Sequence, residues 1–358
     1  MIGVGIIGAS VGGSWGSTSH IPAVQSLDGM RVAAVATSRM ESAKASAAHY
    51  GIPHAFDDPF LTASHPDVDL VTIAVRVPEH DRLVRAALRA GKNVYCEWPL
   101  ARDTHEAVGL RDAAAAAGVR TIIGLQSQVN PVINHVKNLI ADGYIGELIA
   151  TTMIHSGPWV AGRPSSMSYL QTLESGANFL TIRIGHSLDA LCYSLGDFDH
   201  VVATSATQMP HILETDTGKM VLRTAPDQLV IGGRLRNGAV AAVHMQGGPA
   251  RGAGIHWEIS GTKRNLLVVA PAGTPSIQMA PFLSLLEVPN KGDPTPLLVP
   301  GVADGPEGLG SVGGVRRMYA GFRDGQRVPD FAAAVCRHEL LDIVMMAAES
   351  GARQRGPA

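Results

Sequence analysis

Hydrophobic positions come in short unbroken blocks along the first third of the chain and tend to alternate with polar ones further on. Residues 31–37, 69–75, 92–97 and 119–125, like the opening 2–7, are apolar and β-branched with few polar interruptions. That is the pattern of strands buried on both faces of a parallel sheet. Between them, 79–90 and 105–118 carry helical stretches that stop at Gly91 and Gly118, since glycine takes the left-handed backbone past a helix end at little cost. Strand and helix in alternation, joined by right-handed crossovers, give an α/β doubly wound sheet whose ligands sit beyond the carboxyl ends of the strands.

The pattern changes near residue 127. A helix over 131–143 leads into a strand-like run at 147–157 and a second helical stretch near 177–195. Alternating runs follow at 199–208, 228–236, 239–246, 254–260 and 265–270. Asn237-Gly238 between two of them predicts a type I′ hairpin. Hairpin-linked strands make an open antiparallel sheet, so the second part reads as an α+β domain over 127–358, behind a nucleotide-binding domain over 1–126. Residues 271–330 are rich in Pro and Gly without clear periodicity, which predicts a partly mobile loop. An apolar helix over 331–350, ended by Gly351, closes the chain.

The 358 residues are enough for a core in each of two domains. A net charge of −2 with no basic block argues against a nucleic-acid partner. Cys96, Cys192 and Cys336 are far apart and form no CxxC pair, so neither a disulfide framework nor a metal site is expected, and a reducing cytoplasm fits. No run approaches the roughly 18 apolar residues of a membrane span, and the histidines lack metal-ligand spacing.

Chemistry concentrates after the strands. The first strand runs into 8-GASVGGSW-15, where Gly8, Ser10, Val11, Gly12 and Gly13 can bring backbone N–H groups close to a phosphate. The second ends in Thr37-Ser38-Arg39. An acid there would accept from a free ribose 2′-hydroxyl; two hydroxyls and a guanidinium instead suit a 2′-phosphate, which favours NADP(H), with NAD(H) the alternative cofactor.

After the fifth strand comes 96-CEWPL-100, with 73-IAVRVPEH-80 upstream, 20-HIPA-23 after the Gly-rich loop, and 143-GYIGEL-148 and 185-GHSLDAL-191 downstream. In order and spacing over almost the whole chain, these segments resemble the glucose–fructose oxidoreductase / inositol dehydrogenase family. The resemblance implies a Rossmann domain followed by an α+β domain with a large open sheet that often forms dimers, and NAD(P)-dependent chemistry on sugars, cyclitols or related carbonyl compounds. It places Trp15, Val75, Arg76, Pro78, His80, Glu97, Trp98 and Gln126 around the cofactor and His186 facing the nicotinamide. Two departures stand out. The family's lysine between that Glu and Pro is Trp98 here, and its Asp four residues before the active-site His is Ile182. The tryptophan, with Trp15 and 121-TIIGLQSQ-128, is shared with the fungal galactose-regulon repressor subgroup, whose members bind dinucleotide and regulate through protein contacts.

His186 is then the remaining acid–base candidate, because imidazole titrates near neutrality. Tyr169 could supply a phenol donor, Arg183 an anion or carbonyl anchor or else one side of an ion pair, and Asn178 lies in the same stretch. Trp98 offers a flat face to a ring-shaped substrate. Trp159 and Arg163, in 157-GPWVAGRP-164, suit a loop that closes over the cofactor. Two functions compete: an NADP(H)-dependent oxidoreductase acting on a small cyclic carbonyl or alcohol, and a dinucleotide-binding regulator without turnover. The absence of insertions or a partner-binding tail favours the enzyme, acting as a homodimer or higher oligomer.

Overall fold

The computed structural model describes residues 1–248, 252–289, 291–302 and 308–357. Their contacts divide the chain into one unit of 1–126 with 311–335, and another of 127–310 with 336–357.

In the first unit, β1 (Ile2–Ile7), α1 (Ile21–Gln25), β2 (Met30–Ala36), α2 (Met40–Tyr50), β3 (His54–Phe56), α3 (Pro59–Ser64), β4 (Leu70–Ile73), α4 (His80–Arg89), β5 (Asn93–Cys96), α5 (Thr104–Ala117) and β6 (Thr121–Ile123) follow in order. The six strands are all parallel, in the order β3-β2-β1-β4-β5-β6. The order reverses beside β1, which creates the crevice where such sheets bind ligands. Val4, Ile6, Val35, Leu70, Val71, Ile73 and Val94 are completely buried, as the unbroken apolar runs require. Asp58 and Asp103 cap α3 and α5 by accepting from backbone N–H groups.

The second unit opens with α6 (Pro131–Ala141), capped by Asn130, then β7 (Leu148–Ser156). A π-helical turn over Phe179–Ile184 runs into α7 (Gly185–Leu195). The strands that follow are β8 (Phe198–Ala206), β9 (His211–Leu213), β10 (Met220–Leu222), β11 (Gln228–Leu235), β12 (Val240–Gln246), β13 (Gly254–Gly261), β14 (Asn265–Ala270), β15 (Ser284–Val288) and β16 (Thr295–Pro296). After α8 (Ser311–Arg323) and α9 (Phe331–Ser350), β17 (Gln354–Arg355) ends the order. Nine strands form one sheet, β16-β15-β14-β13-β7-β12-β11-β8-β17, and β9 pairs with β10 apart from it. Its inner face buries Met153, Leu229, Ile231, Val243, Met245, Trp257 and Val268.

The large sheet is mostly antiparallel, as expected, with β7 lying parallel to β12 at its centre. Three expectations change. The turn at Asn237-Gly238 is not type I′, which needs positive φ at both central residues. Only Gly238 has it (φ 95), and its N–H donates to Leu235 O at 2.9 Å, which makes a three-residue loop with a bulge at the glycine. The stretch 271–330 holds β15, β16 and α8, while its residues 290 and 303–307 lie outside the described residues. Finally, 311–335 clusters with the first unit. Burial of Val315, Met318, Tyr319 and Phe322 gives α8 an apolar side that three interspersed glycines conceal in the sequence.

Candidate functional site

In the first unit the loop after β1 is built for close approach. Gly8 has φ 98, and a Cβ there would lie 2.4 Å from Ala74 O. Gly12 (φ 120) and Gly13 (φ 106) face open space: beyond their own chain neighbours, no described heavy atom lies within 4 Å of where a Cβ would stand. That empty cradle fits a phosphate group, which side chains would exclude. The loop is held by Val11 N–H donating to Ser46 Oγ at 3.0 Å and Ser14 Oγ to Ser10 O at 3.1 Å. Beside it a cavity of about 280 Å³ is lined by Ile7, Gly8, Ala36, Thr37, Ser38, Asp57, Pro59, Val75, Glu79, Arg82 and Leu83. Its apolar walls suit a nucleoside. Thr37 Oγ1 donates to Arg39 O at 2.9 Å and lies 2.6 Å from Ser42 Oγ. Arg39 stands exposed at the N-cap of α2, outside the cavity lining. Glu79 is held by Arg82.

At the carboxyl end of β5, Glu97 anchors a buried relay that the sequence did not disclose. His20 Nε2 lies 3.0 Å from its Oε1, and Gln126 Nε2 donates to both carboxylate oxygens at 3.2 and 3.1 Å. His20 Nδ1 in turn is 2.8 Å from the Tyr319 hydroxyl, itself 2.7 Å from Thr72 Oγ1. Burial works to raise the Glu97 pKa, but the bond to His20, its charge, and lesser contributions from Gln126 and Trp15 hold the carboxyl below its ordinary value. The relay thus runs from Thr72 through Tyr319 and His20 to Glu97. Trp98 is buried beside this relay, between Glu97 and Pro99. His80 bonds main chain: Nδ1 lies 3.0 Å from Pro99 O and Nε2 3.1 Å from Val75 O, so it ties the loops after β4 and β5 together. Burial holds its pKa down against those carbonyls. Arg76 and Pro78 are exposed.

In the second unit the turn before α7 is set by Asn178. Its Oδ1 accepts from Leu180 and Thr181 N–H, Thr181 Oγ1 accepts from Asn178 N–H, and its Nδ2 donates to Thr172 O. Asn178 is thus a cap, with its amide committed to local backbone. His186 is buried at the start of α7, and Tyr169 is half-buried. Asp189, one turn on, accepts from Gln128 Nε2 at 2.9 Å and faces Arg337 at 3.6 Å. Burial pushes its carboxyl up to about 6. Arg183 is 1% exposed and makes no ion pair among the described residues, against the ion-pair expectation. It donates instead to Gly157 O at 2.8 Å and Pro158 O at 3.0 Å. Trp159 and Val160 are buried and donate from their backbone to Gly248 O and Gly247 O. The expected closing loop is therefore pinned at Trp159–Val160, while Arg163 stays half-buried with its guanidinium 5.1 Å from the Trp159 ring centroid.

Sequence reasoning missed Tyr319, Thr72, His155, Gln171 and Arg223. His155 alone carried a signal, a histidine at an inward position of an alternating strand. Its Nδ1 lies 3.1 Å from Ser187 Oγ, next to His186, and burial with the Arg183 charge lowers its pKa to about 3. Among the described residues the histidines converge once: His54, His65 and Asp67 place ligand-type atoms within 4.8 Å, but Asp67 there is paired with Arg31.

Residues 2–125 match the family model "Oxidoreductase family, NAD-binding Rossmann fold", and 131–270 match "Gal80p, C-terminal domain". The chain is 28% identical to the dehydrogenase aclE of Aspergillus oryzae over 89% of its own length and 87% of that protein. It is 30% identical to the galactose/lactose metabolism regulatory protein GAL80 of Saccharomyces cerevisiae, over 76% of this chain and 67% of that one. The solved transcriptional regulator Gal80p of Kluyveromyces lactis superposes with a TM-score of 0.85 at 27% identity, covering 99% of this chain and 94% of that one.

Proposed function

This chain belongs to the glucose–fructose oxidoreductase / inositol dehydrogenase family, near its Gal80-like branch, and on that premise we propose that it is an NADP(H)-dependent oxidoreductase acting on a ring-shaped carbonyl or alcohol. The observation that carries the proposal is the open glycine cradle after β1 in a chain that retains a buried imidazole at the head of α7. The nicotinamide supplies the hydride acceptor or donor. The protein's part is to hold the phosphates on the Gly8–Gly13 loop and move one proton. In alcohol oxidation the His186 imidazole takes the hydroxyl proton, and in carbonyl reduction it returns one. Tyr169 serves as an auxiliary donor, and Trp98 as the flat surface that replaces an ammonium.

NADP(H) is favoured over NAD(H) because no acid ends β2. Ser38 and the exposed Arg39 stand at the N-terminus of α2, where free backbone N–H groups also attract a phosphate. Exposed Val202, Val230 and Val240 share the outer face of the nine-stranded sheet, which supports a homodimer formed through that face. Three free cysteines, two of them buried, support a cytoplasmic setting. No helix among the described residues is long and apolar enough to cross a membrane.

The match of 131–270 to the Gal80p C-terminal domain favours a second reading, a dinucleotide-binding regulator that acts through protein contacts. A purified sample given NADPH and a panel of sugars, keto-sugars, cyclic ketones and imines separates the two. The enzyme oxidises NADPH with at least one of them, and His186→Ala abolishes most of that turnover. A regulator binds the dinucleotide and turns over none.

A further inference from the structure

We propose that the second unit holds a carboxylate-binding site centred on Arg163, so that the substrate of the oxidoreductase proposed above is an acidic ring compound rather than a neutral sugar. Three guanidinium groups gather on this wall. Arg183 and Arg223 are 1% and 3% exposed, and Arg163 is half-buried. Trp159 links the first and last: the guanidinium carbons of Arg163 and Arg183 lie 5.1 and 5.4 Å from its ring centroid. Arg223 faces Gln171, whose Oε1 accepts from its Nη2 at 2.9 Å, at the end of the helical turn that begins two residues after Arg163.

The acids nearby are already committed. Asp227 faces Arg223 at 3.6 Å and accepts from the N–H groups of Gln208 and Met209. Glu214 accepts from the hydroxyls of Ser168 and Thr217, and Asp216 from the backbone and hydroxyl of Ser165. Among the described residues no carboxylate lies within ion-pair distance of Arg163 or Arg183. Arg183 is met by two main-chain carbonyls, and Arg163 by Trp159 O, at 3.3 Å from its Nε, with the Tyr169 phenol near enough to act on its charge.

Unused donors accumulate in the same place. Among the described residues, buried Trp159 Nε1, Gln171 Nε2, Arg183 Nε and Arg223 Nε find no acceptor. The Gln171 amide cannot be turned to reverse this, since its oxygen already accepts from Arg223. Buried cations and donors left without acceptors are costly unless another molecule supplies the missing charge. The Arg163 charge also adds to burial in holding Arg183 down at about 10, as it does Arg223. A guanidinium fork beside an indole favours a planar anion that accepts two parallel bonds, which is a carboxylate.

Calorimetry on the full chain tests this, with the ring acids D-glucuronate and shikimate set against D-glucuronamide and shikimic acid methyl ester. Runs are made with and without NADPH. At least one acid should bind tenfold or more tightly than its neutral counterpart, and Arg163→Gln should erase that preference. Because Arg163 is half-buried, the variant keeps the fold, and a matching circular-dichroism melt checks it. Arg163→Lys should restore only part of the preference, as a point charge lacks the fork. Neutral compounds binding as well as their acids would overturn the proposal, as would a preference that survives Arg163→Gln or no acid binding at all. Equilibrium binding does not require turnover, so an acid-selective protein that leaves NADPH unoxidised refutes the oxidoreductase and keeps the anion site.

Discussion

The proposed preference for NADP(H) rests on Arg39 and its two neighbours. Thr37 and Ser38 were legible in the sequence as the end of a strand, and both line the nucleoside cavity. What no sequence pattern could show is that the Thr37 hydroxyl is spent on Arg39 O, which leaves Arg39 and the α2 N-terminus to recognise a 2′-phosphate. Loss of one charge-assisted contact costs about 1.5–3 kcal/mol. Arg39→Ala should therefore weaken NADPH by roughly ten- to a hundredfold while leaving NADH within about twofold, as read by calorimetry; equal affinity of the unmodified protein for both would remove the basis of the preference. Trp98 and Ile182 were legible as departures from a family pattern. Asn178 and Arg183 were not legible as scaffold, because a cap and a carbonyl-bound guanidinium look in sequence like any polar residues near a histidine.

The site-bearing elements differ in how openly they announce themselves. The parallel strands follow from unbroken apolar runs, and α4 and α5 stop at or next to the glycines that marked them. By contrast, α8 is masked by its own glycines, so Tyr319 and the relay to Glu97 went unseen. The parallel pairing of β7 with β12 is a long-range event with no local signature. Where β7 meets α7, His155 and Ser187 join strand to helix next to His186, and this contact has a pH signature. The folded pKa of His155 is depressed to about 3, while an unfolded histidine titrates near 6.5. The unfolded chain therefore takes up a proton that the folded chain refuses. Stability from this group is complete above about pH 6.5 and falls by about 1.4 kcal/mol per pH unit on acidification towards pH 3. Thermal melts between pH 7.5 and 4.5 should lose Tm more steeply in the native protein than in His155→Gln, and parallel curves would show that His155 is not buried neutral.

For the molecule as a whole, the nine-stranded sheet leaves an outer face in which Val202, Val230 and Val240 are 47%, 46% and 60% exposed. Val202 and Val230 sit on neighbouring strands two register positions apart and so on the same face, and Val240 lies on the strand on the other side of Val230. Such a face on an open sheet is covered in solution by a second copy in the proposed homodimer. Light scattering at micromolar concentration should give twice the chain mass, and Val230→Arg should give the monomer with its melting temperature largely kept. A native protein that stays monomeric would leave the face unexplained.

The central claim is that this chain turns over its dinucleotide and that His186 carries the proton. The most direct measurement is kcat for NADPH oxidation by the native protein and by His186→Ala, on whichever acid or neutral ring compound of the panels is reduced, alongside the NADPH dissociation constant of each. Loss of a general acid–base group predicts a fall in kcat of about a hundredfold or more, with NADPH affinity within about twofold. A native protein that binds NADPH and reduces nothing offered, or a His186→Ala variant that turns over at the native rate, would contradict it.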